Sequence, residues 1–485
     1  MSKILPLGNV LGMLLMLFSS TYLLPIATAL IYRDRTEMDF IYAMALTLAS
    51  GYVLWASTRS RGQELKPRDG FLLVLLAWLL MAGAATLPLM LVIEELSFTD
   101  AFFEAMSGLT TTGSTVLSGL DRLPPAINLW RHELNWLGGM GIIVLAVAIL
   151  PLLGVGGMQL YKAETPGPMK DTKLTPRITE TAKSLWYVYV GITAACLVAL
   201  KLAGMSWLDA ICHAFSAMSL GGFSTHDASI GYFDSPVIEF ILIVFMLIAG
   251  INFATHFLAW RGKSLKGYGR DVEGLAFLSL VLISALGVAA FLHVAGAYDN
   301  FWTALRYAGF NVVSIATTCG FMSVDYDHWP IFAPLWMLFL SCISVSSGST
   351  GGGIKMVRTM VLYKQSLREM VKLLHPSVVS PLKIGGHVVP NEVAYSVLGF
   401  IFLYFMSIVI LTFALLVSGL DFISAFSAAI ASINNAGPGL NKVGPASNYG
   451  LLTDFQTWVC SFAMLLGRLE VMTLLIVFTP QFWRK

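Results

Sequence analysis

Charge is the scarcest property of this 485-residue sequence: Asp, Glu, Lys and Arg together make up 12% of it, against 56% hydrophobic residues. Soluble globular domains carry about twice that share of charge, and a mean hydropathy of +0.75 excludes them here. Cysteine is scarce as well. Cys196, Cys212, Cys319, Cys342 and Cys460 fall in apolar or loop-adjacent segments without metal-ligand spacing, and read as buried free thiols. His213, His226, His256 and His293 show neither metal nor nucleophile spacing, which argues against a membrane enzyme. The nearest approach to a phosphate loop, Gly348 to Gly353, has Ile354 where a lysine is required, so no nucleotide site is expected in this chain. No cleavable leader is expected: only Lys3 flanks the first apolar run, whose 27 residues exceed a signal-peptide core, so the run is read as a retained helix.

What the chain does have is long apolar runs, at residues 5–31, 38–57, 70–93, 129–153, 184–204, 236–260, 273–296, 332–345, 393–418 and 455–479. Most approach or exceed the ~20 residues that span a hydrocarbon core. Ten spans of a polytopic membrane protein are expected, the eighth being abnormally short. Traced from an internal N-terminus, these spans put 22 of the 30 basic residues on one side, including Arg59 to Arg68, Lys162 to Lys183, Arg261 to Arg270 and Lys355 to Lys383. The positive-inside rule therefore places both termini in the cytoplasm. Topology accounts for the basic clusters, and no nucleic acid is implied.

Between the runs a unit recurs four times: a spanning helix, a segment too short to span, a glycine loop, and a second spanning helix. The glycines are Gly113, Gly222, Gly320 and Gly437, separated by 109, 98 and 117 residues. The short segments are 98–110, 207–219, 300–316 and 422–433. At ~1.5 Å per residue such a segment covers only about 20 Å, so the chain must dip in from outside and return. Asp100, Asp209, Asp299 and Asp421 are read as N-caps. Ser107, Ser216 and Ser314 stand six residues before their glycines, while in the fourth unit the nearest serine, Ser432, stands five before. The units divide the chain as 1–66 (two N-terminal helices), 67–160, 161–264, 265–384 and 385–485.

The loops read Thr111-Thr112-Gly113, Leu220-Gly221-Gly222, Thr318-Cys319-Gly320 and Asn435-Ala436-Gly437. None offers an acidic ring, so selectivity by side-chain charge is not expected. Backbone carbonyls remain, and glycine permits the positive φ that turns carbonyls toward a common axis while leaving room for an ion there. In the third unit the apolar run breaks at Ser346-Ser347-Gly348-Ser349-Thr350-Gly351-Gly352-Gly353, which cannot hold a helix across lipid. That loop is read as lying within the membrane and acting as a gate. Arg468 sits near the centre of the last run, where an unpaired guanidinium is costly, and the free carbonyls of the loop are its natural partners. A pair with Glu470 is the alternative.

These residues resemble the Trk/Ktr/HKT superfamily of potassium transport proteins, most closely its bacterial TrkH branch, over essentially the whole chain. The resemblance implies an all-α fold in which four helix, pore-helix, helix units surround one potassium pathway, preceded by two extra transmembrane helices. It places one filter glycine in each unit, at Gly113, Gly222, Gly320 and Gly437, with Gly113 favouring potassium over sodium. It further implies a gate that involves the 346–353 loop and Arg468, location in the bacterial inner membrane, a homodimer, and a cytosolic nucleotide-binding regulatory subunit that would dock near Lys355 to Lys383. A secondary cation transporter working by alternating access is the competing reading, because broken helices and internal repeats are also its signature.

Overall fold

The structure, a computed structural model, describes residues 5–58, 67–149 and 178–484. Several of the basic residues used to orient the chain, Arg59, Arg61, Lys66, Lys162 and their neighbours, lie outside the described residues, as do the boundaries at 66 and 160. The N-terminal part is α1 (Leu5–Ser19), α2 (Leu23–Tyr32) and α3 (Glu37–Thr58), with α1 and α2 joined by a single 3-10 turn. α1 and α3 pack closely because Gly12 and Gly51 face one another: a Cβ on Gly12 would lie 2.7 Å from the Gly51 carbonyl oxygen. Trp130 fastens this pair to the rest of the molecule. Its ring stacks on Tyr22 at 4.6 Å, and its indole Nε1 donates to the Ala85 carbonyl at 3.1 Å.

Thereafter one element order repeats. The first unit is α4 (Pro67–Val92), α5 (Phe98–Leu109) and α6 (Pro125–Ile149). The second is α7 (Ile178–Leu202), α8 (Trp207–Ser219), α9 (Pro236–Ala249) and α10 (Phe253–Gly262), followed by the single turn α11 (Lys266–Arg270). The third is α12 (Val272–Val294), α13 (Phe301–Ala316), α14 (Phe332–Ile343) and α15 (Met356–Leu374). The fourth is α16 (Asn391–Val417), α17 (Phe422–Ile433), α18 (Asp454–Arg468) and α19 (Val471–Leu475). A two-residue hairpin, Lys383–Ile384 with His387–Val388, joins α15 to α16 through Gly385 and Gly386, both at positive φ. Among the described residues, this hairpin is the only strand pairing and every other regular element is a helix.

Helices stand where the ten apolar runs were read, but among the described residues only six spans, α1 and α2 counting as one, are long and apolar enough to cross a membrane without a sharp bend. The sixth and tenth runs are bent pairs, α9/α10 at 94° and α18/α19 at 111°. Chain chemistry explains the breaks. Gly250 ends α9 and the Asn252 side chain caps α10 by accepting from Ala254 N at 2.8 Å, while Glu470 adopts φ +58 between α18 and α19.

The four short helices begin differently from the sequence expectation in three cases. Ser97 and Ser206 are the N-caps of α5 and α8, each accepting from the backbone N–H of Asp100 or Asp209, and Asn300 rather than Asp299 caps α13. A hydroxyl three residues ahead of an acid satisfies the free N–H and leaves the acid inside the first turn, where the helix dipole favours it. Only Asp421 caps its helix, α17, as expected.

Candidate functional site

Each short helix ends in the same way, and that ending builds the site. The N–H groups of Thr112, Gly221, Cys319 and Ala436 reach back to the carbonyls of Ser107, Ser216, Ser314 and Ala431, at 2.8, 2.9, 2.8 and 2.9 Å. This is the six-to-one closure of a Schellman turn. It accounts for the departure of the fourth unit: Ala431 stands six residues before Gly437, and the contact common to all units is made by the backbone carbonyl and needs no hydroxyl. The turn requires a left-handed residue, supplied without glycine by Thr111, Leu220, Thr318 and Asn435 at φ +55, +55, +61 and +53. Four equivalent non-glycine residues in this conformation represent stored backbone strain, which the surrounding packing must hold.

Two residues later come Gly113, Gly222, Gly320 and Gly437, at φ +83, +65, +90 and +86. A Cβ on Gly113 would stand 2.2 Å from the Gly221 oxygen, one on Gly222 1.9 Å from that of Cys319, one on Gly320 2.4 Å from that of Ala436, and one on Gly437 2.8 Å from that of Thr112. Each loop therefore abuts the next, and the fourth returns to the first. The four loops close a ring. Thr111, Thr112, Leu220, Gly221, Thr318, Cys319, Asn435 and Ala436 are buried behind it.

Among the described residues, no hydrogen-bond donor reaches the main-chain oxygens of Thr111, Thr112, Gly113, Leu220, Gly221, Gly222, Thr318, Cys319, Gly320, Asn435 or Ala436. Buried carbonyls are normally paired, so a ring of carbonyls without donors is unusual and sets these loops apart from the rest of the backbone. The twelfth differs. The Gly437 oxygen accepts from Ser114 Oγ at 2.8 Å and Tyr449 Oη at 3.0 Å, which ties the fourth loop to the first and leaves that oxygen less free than its three counterparts. Asn435 adds a second tie, donating from Nδ2 to Thr112 Oγ1 at 3.0 Å.

Above the ring lies a cavity of ≈ 330 Å³ whose lining includes all four glycines. Its wall is braced by the buried ion pair Arg131–Glu104 (2.7 Å), with Arg131 Nη1 also donating to the Ser224 carbonyl at 3.4 Å and the guanidinium lying 4.3 Å above the Phe223 ring. Sequence reasoning missed this pair, because Glu104 lies in the short segment 98–110 and Arg131 in the following apolar run, and nothing in their order brings them together. At the rim, the His226 imidazole lies between Asp121 and Asp209. Burial alone would lower its pKa, but the carboxylates of Asp209, beside the ring, and Asp121, which accepts from its Nδ1, outweigh that and hold the imidazole above its ordinary value.

Below the ring lies the 346–353 loop. Thr350 Oγ1 donates to the Met218 carbonyl at 3.0 Å, and Gly352 N donates to Thr318 Oγ1 at 2.9 Å. A Cβ on Gly351 would meet the Thr317 oxygen at 2.9 Å, and one on Gly352 the Asn434 oxygen at 1.8 Å. The loop thus touches the inner ends of the second, third and fourth short helices. Arg468 supplies the first: its Nη1 donates to Thr111 Oγ1 at 2.7 Å and to the Thr350 carbonyl at 3.1 Å, and its Nη2 to the Gly138 carbonyl at 2.8 Å. Only one of these acceptors is a loop carbonyl, fewer than expected, because most of the loop is served from elsewhere. Ser346 N and Thr350 N donate to the carbonyls of Gly250 and Ala249, freed by the α9/α10 bend, and Lys355 Nζ donates to the Gly351 carbonyl. Gly348 is exposed, and its carbonyl accepts from Phe253 N at 3.1 Å. Gly353, at φ +75, is packed against the Ser341 carbonyl.

A profile of the TrkH family, described as a cation transport protein, matches residues 36–485. The chain belongs to the TrkH cation transport family. It is 48% identical over 478 residues to the Trk system potassium uptake protein TrkH of Salmonella typhimurium, covering 98% of this chain and 99% of that one. It is 39% identical to TrkG of Escherichia coli, covering 98% and 97%. Among solved structures it is similar to the potassium transporter TrkH of Vibrio parahaemolyticus, with a TM-score of 0.91 at 45% identity over 99% of this chain and 100% of that one.

Within this TrkH-family chain, two charged residues near the loop were not read from the sequence as its supports. Glu470 pairs with Arg358 of α15 at 2.8 Å, not with Arg468. Two residues apart across a bend, the two side chains leave the backbone in different directions. Glu273, buried at the start of α12, takes both Ser347 N (2.7 Å) and Val357 N (3.0 Å) on one carboxylate oxygen, clamping the loop at its two ends. Removing it strands two buried donors, at about 1–3 kcal/mol each. Glu273→Ala should therefore lower the melting temperature and raise cation leak through vesicles, with Glu273→Gln, which keeps an acceptor, falling between. A correctly folded Glu273→Ala protein that leaks no more than the parent would show the clamp to be irrelevant to permeation.

Proposed function

We propose that this chain takes up potassium across the bacterial inner membrane through a channel-like pore. In this reading the four units surround one axis, the two N-terminal helices pack outside them, both termini are cytoplasmic, and the four glycine loops enter from outside. The observation that carries it is the closed ring of loops with eleven carbonyl oxygens free of donors, a set suited to replacing the hydration shell of a cation without a charged residue in the loops themselves. Thr111 to Gly113, Leu220 to Gly222, Thr318 to Gly320 and Asn435 to Gly437 are its ligand-bearing residues. Potassium is cargo, not a resident cofactor. The family match and the printed names of relatives, which are potassium uptake proteins and a potassium transporter, favour that ion.

The loop Ser346 to Gly353 with Arg468 is the gate on this reading, since together they reach all four short-helix ends directly beneath the ring. Its continuation, α15, is the element through which a cytosolic nucleotide-binding subunit would act on the gate, and the chain is expected to work as a homodimer. The surface offered to that subunit is narrower than the sequence suggested. Arg368 is buried and donates to Asn391 Oδ1 at 2.9 Å, holding α15 to α16, so Lys364 and Lys372 are the basic residues of this helix available for docking.

Purified protein in potassium-loaded vesicles tests the reading. Potassium flux should exceed sodium flux, and single-molecule current through the open state should vary linearly with voltage. Saturating turnover coupled to a second ion would instead favour alternating access.

A further inference from the structure

The right-angled bend between α9 and α10 leaves a second, larger cavity in its crook. It measures ≈ 760 Å³ and is closed on the far side by α7 and at the bottom by α11. Val188, Ile192, Phe245, Ile248 and Leu265 make its walls apolar. The polar groups exposed by the bend are already satisfied: His256 Nε2 lies 2.9 Å from the Ile248 carbonyl and its Nδ1 2.7 Å from the Tyr268 hydroxyl. Nothing in the walls therefore calls for a polar occupant. On α7 the lining runs from Tyr187 to Ala195, which at ~1.5 Å per residue is a depth of about 12 Å, close to one leaflet of a ~30 Å hydrocarbon core.

The mouth has the opposite character. Lys263 lines it, with Lys266 and Arg270 exposed on the next turn, and Trp260 and Tyr187, both more than half exposed, flank the opening as interfacial aromatics do. We infer that this crook is a binding site for one anionic phospholipid, with an acyl chain lying between α7 and α9 and the phosphate-bearing headgroup on Lys263 and Lys266. Charge complementarity at a mouth of one sign, above an apolar cleft one leaflet deep, selects a lipid over a soluble anion, which would leave the cleft empty, and over a neutral lipid, which would leave the cations unused. The inference rests on the proposed inner-side position of Lys263.

Gly191 supplies a clean test. It lines the cavity, and a Cβ added there meets nothing within 4 Å, so a larger side chain would grow into the space meant for the acyl chain without striking protein. The full-length protein in detergent is examined by native mass spectrometry with added phosphatidylglycerol or phosphatidylcholine of identical chains. The parent should retain phosphatidylglycerol about fivefold better or more, Lys263→Glu/Lys266→Glu should lose that preference, and Gly191→Leu should reduce retention of both lipids. If Gly191→Leu fails to fold, Ala195→Leu takes its place.

No preference in the parent, or unchanged retention in the folded Gly191→Leu protein, overturns the lipid site. So does unchanged lipid retention with loss of the dimer, which would assign the crook to a second copy of the chain. None of these readouts depends on ion flux. The side assignment is checked separately: Lys263→Cys, in a chain whose other described cysteines are all buried, should react with a membrane-impermeant thiol reagent only after cells are permeabilised.

Discussion

Replacing Arg468 by Ala should raise potassium leak in the absence of any regulatory subunit by on the order of tenfold or more, with the potassium-to-sodium ratio little changed. The guanidinium makes three hydrogen bonds, to Thr111, Thr350 and Gly138, and so ties the first unit to the loop. Charge-assisted hydrogen bonds contribute about 1.5–3 kcal/mol each, and ~1.4 kcal/mol is already tenfold in an equilibrium. Losing even one shifts the balance between obstructed and open forms by that factor. Because Arg468 also steadies the Thr111 hydroxyl, a second variant is needed. Removing Ser349–Gly352 alters no residue of the ring itself, though it withdraws the Gly352 N–H from Thr318 Oγ1, and should give the same increase. If both proteins insert and assemble normally yet leak no more than the parent, the loop does not obstruct the path. A fall in flux would mean that the loop supports conduction.

The second large effect is expected at Gly113. A Cβ there would stand 2.2 Å from the Gly221 oxygen, closer than any real contact, and that oxygen belongs to backbone fixed by its own Schellman turn. Gly113→Ser must therefore push the second loop away and spoil one quarter of the ring. The potassium-to-sodium flux ratio should fall on the order of tenfold, the factor that ~1.4 kcal/mol of lost discrimination produces. Gly309→Ala on α13 is the control, since a Cβ there meets nothing within 4 Å and its φ lies in the ordinary range. An unchanged ion ratio in the folded Gly113→Ser protein would remove the carbonyl ring as the source of selectivity. Equal losses in both variants would point to general destabilisation.

The membrane class, the ten apolar runs, the four short segments and the four glycines were legible in the sequence because each rests on local chemistry. Burial in lipid demands apolar runs of a fixed length, and a positive-φ position crowded by a neighbouring carbonyl demands glycine. The glycine-rich break at 346–353 and the anomalous Arg468 were visible for the same reason, as residues that violate what a lipid-facing helix tolerates.

What the sequence could not supply was anything that depends on two distant segments meeting. Nothing in the order of residues pairs Glu104 with Arg131, Glu273 with the amides of Ser347 and Val357, or Glu470 with Arg358. Thr111, Leu220, Thr318 and Asn435 share a left-handed conformation but no side-chain chemistry, so their equivalence appears only in the backbone. The bends at Gly250 and Glu470 were hidden within apolar runs long enough to pass for straight spans. Hydropathy reports how much of a segment can enter lipid. Only the tertiary structure decides the direction of each segment, because direction depends on which carbonyls and amides a break exposes and on whether another part of the chain arrives to satisfy them.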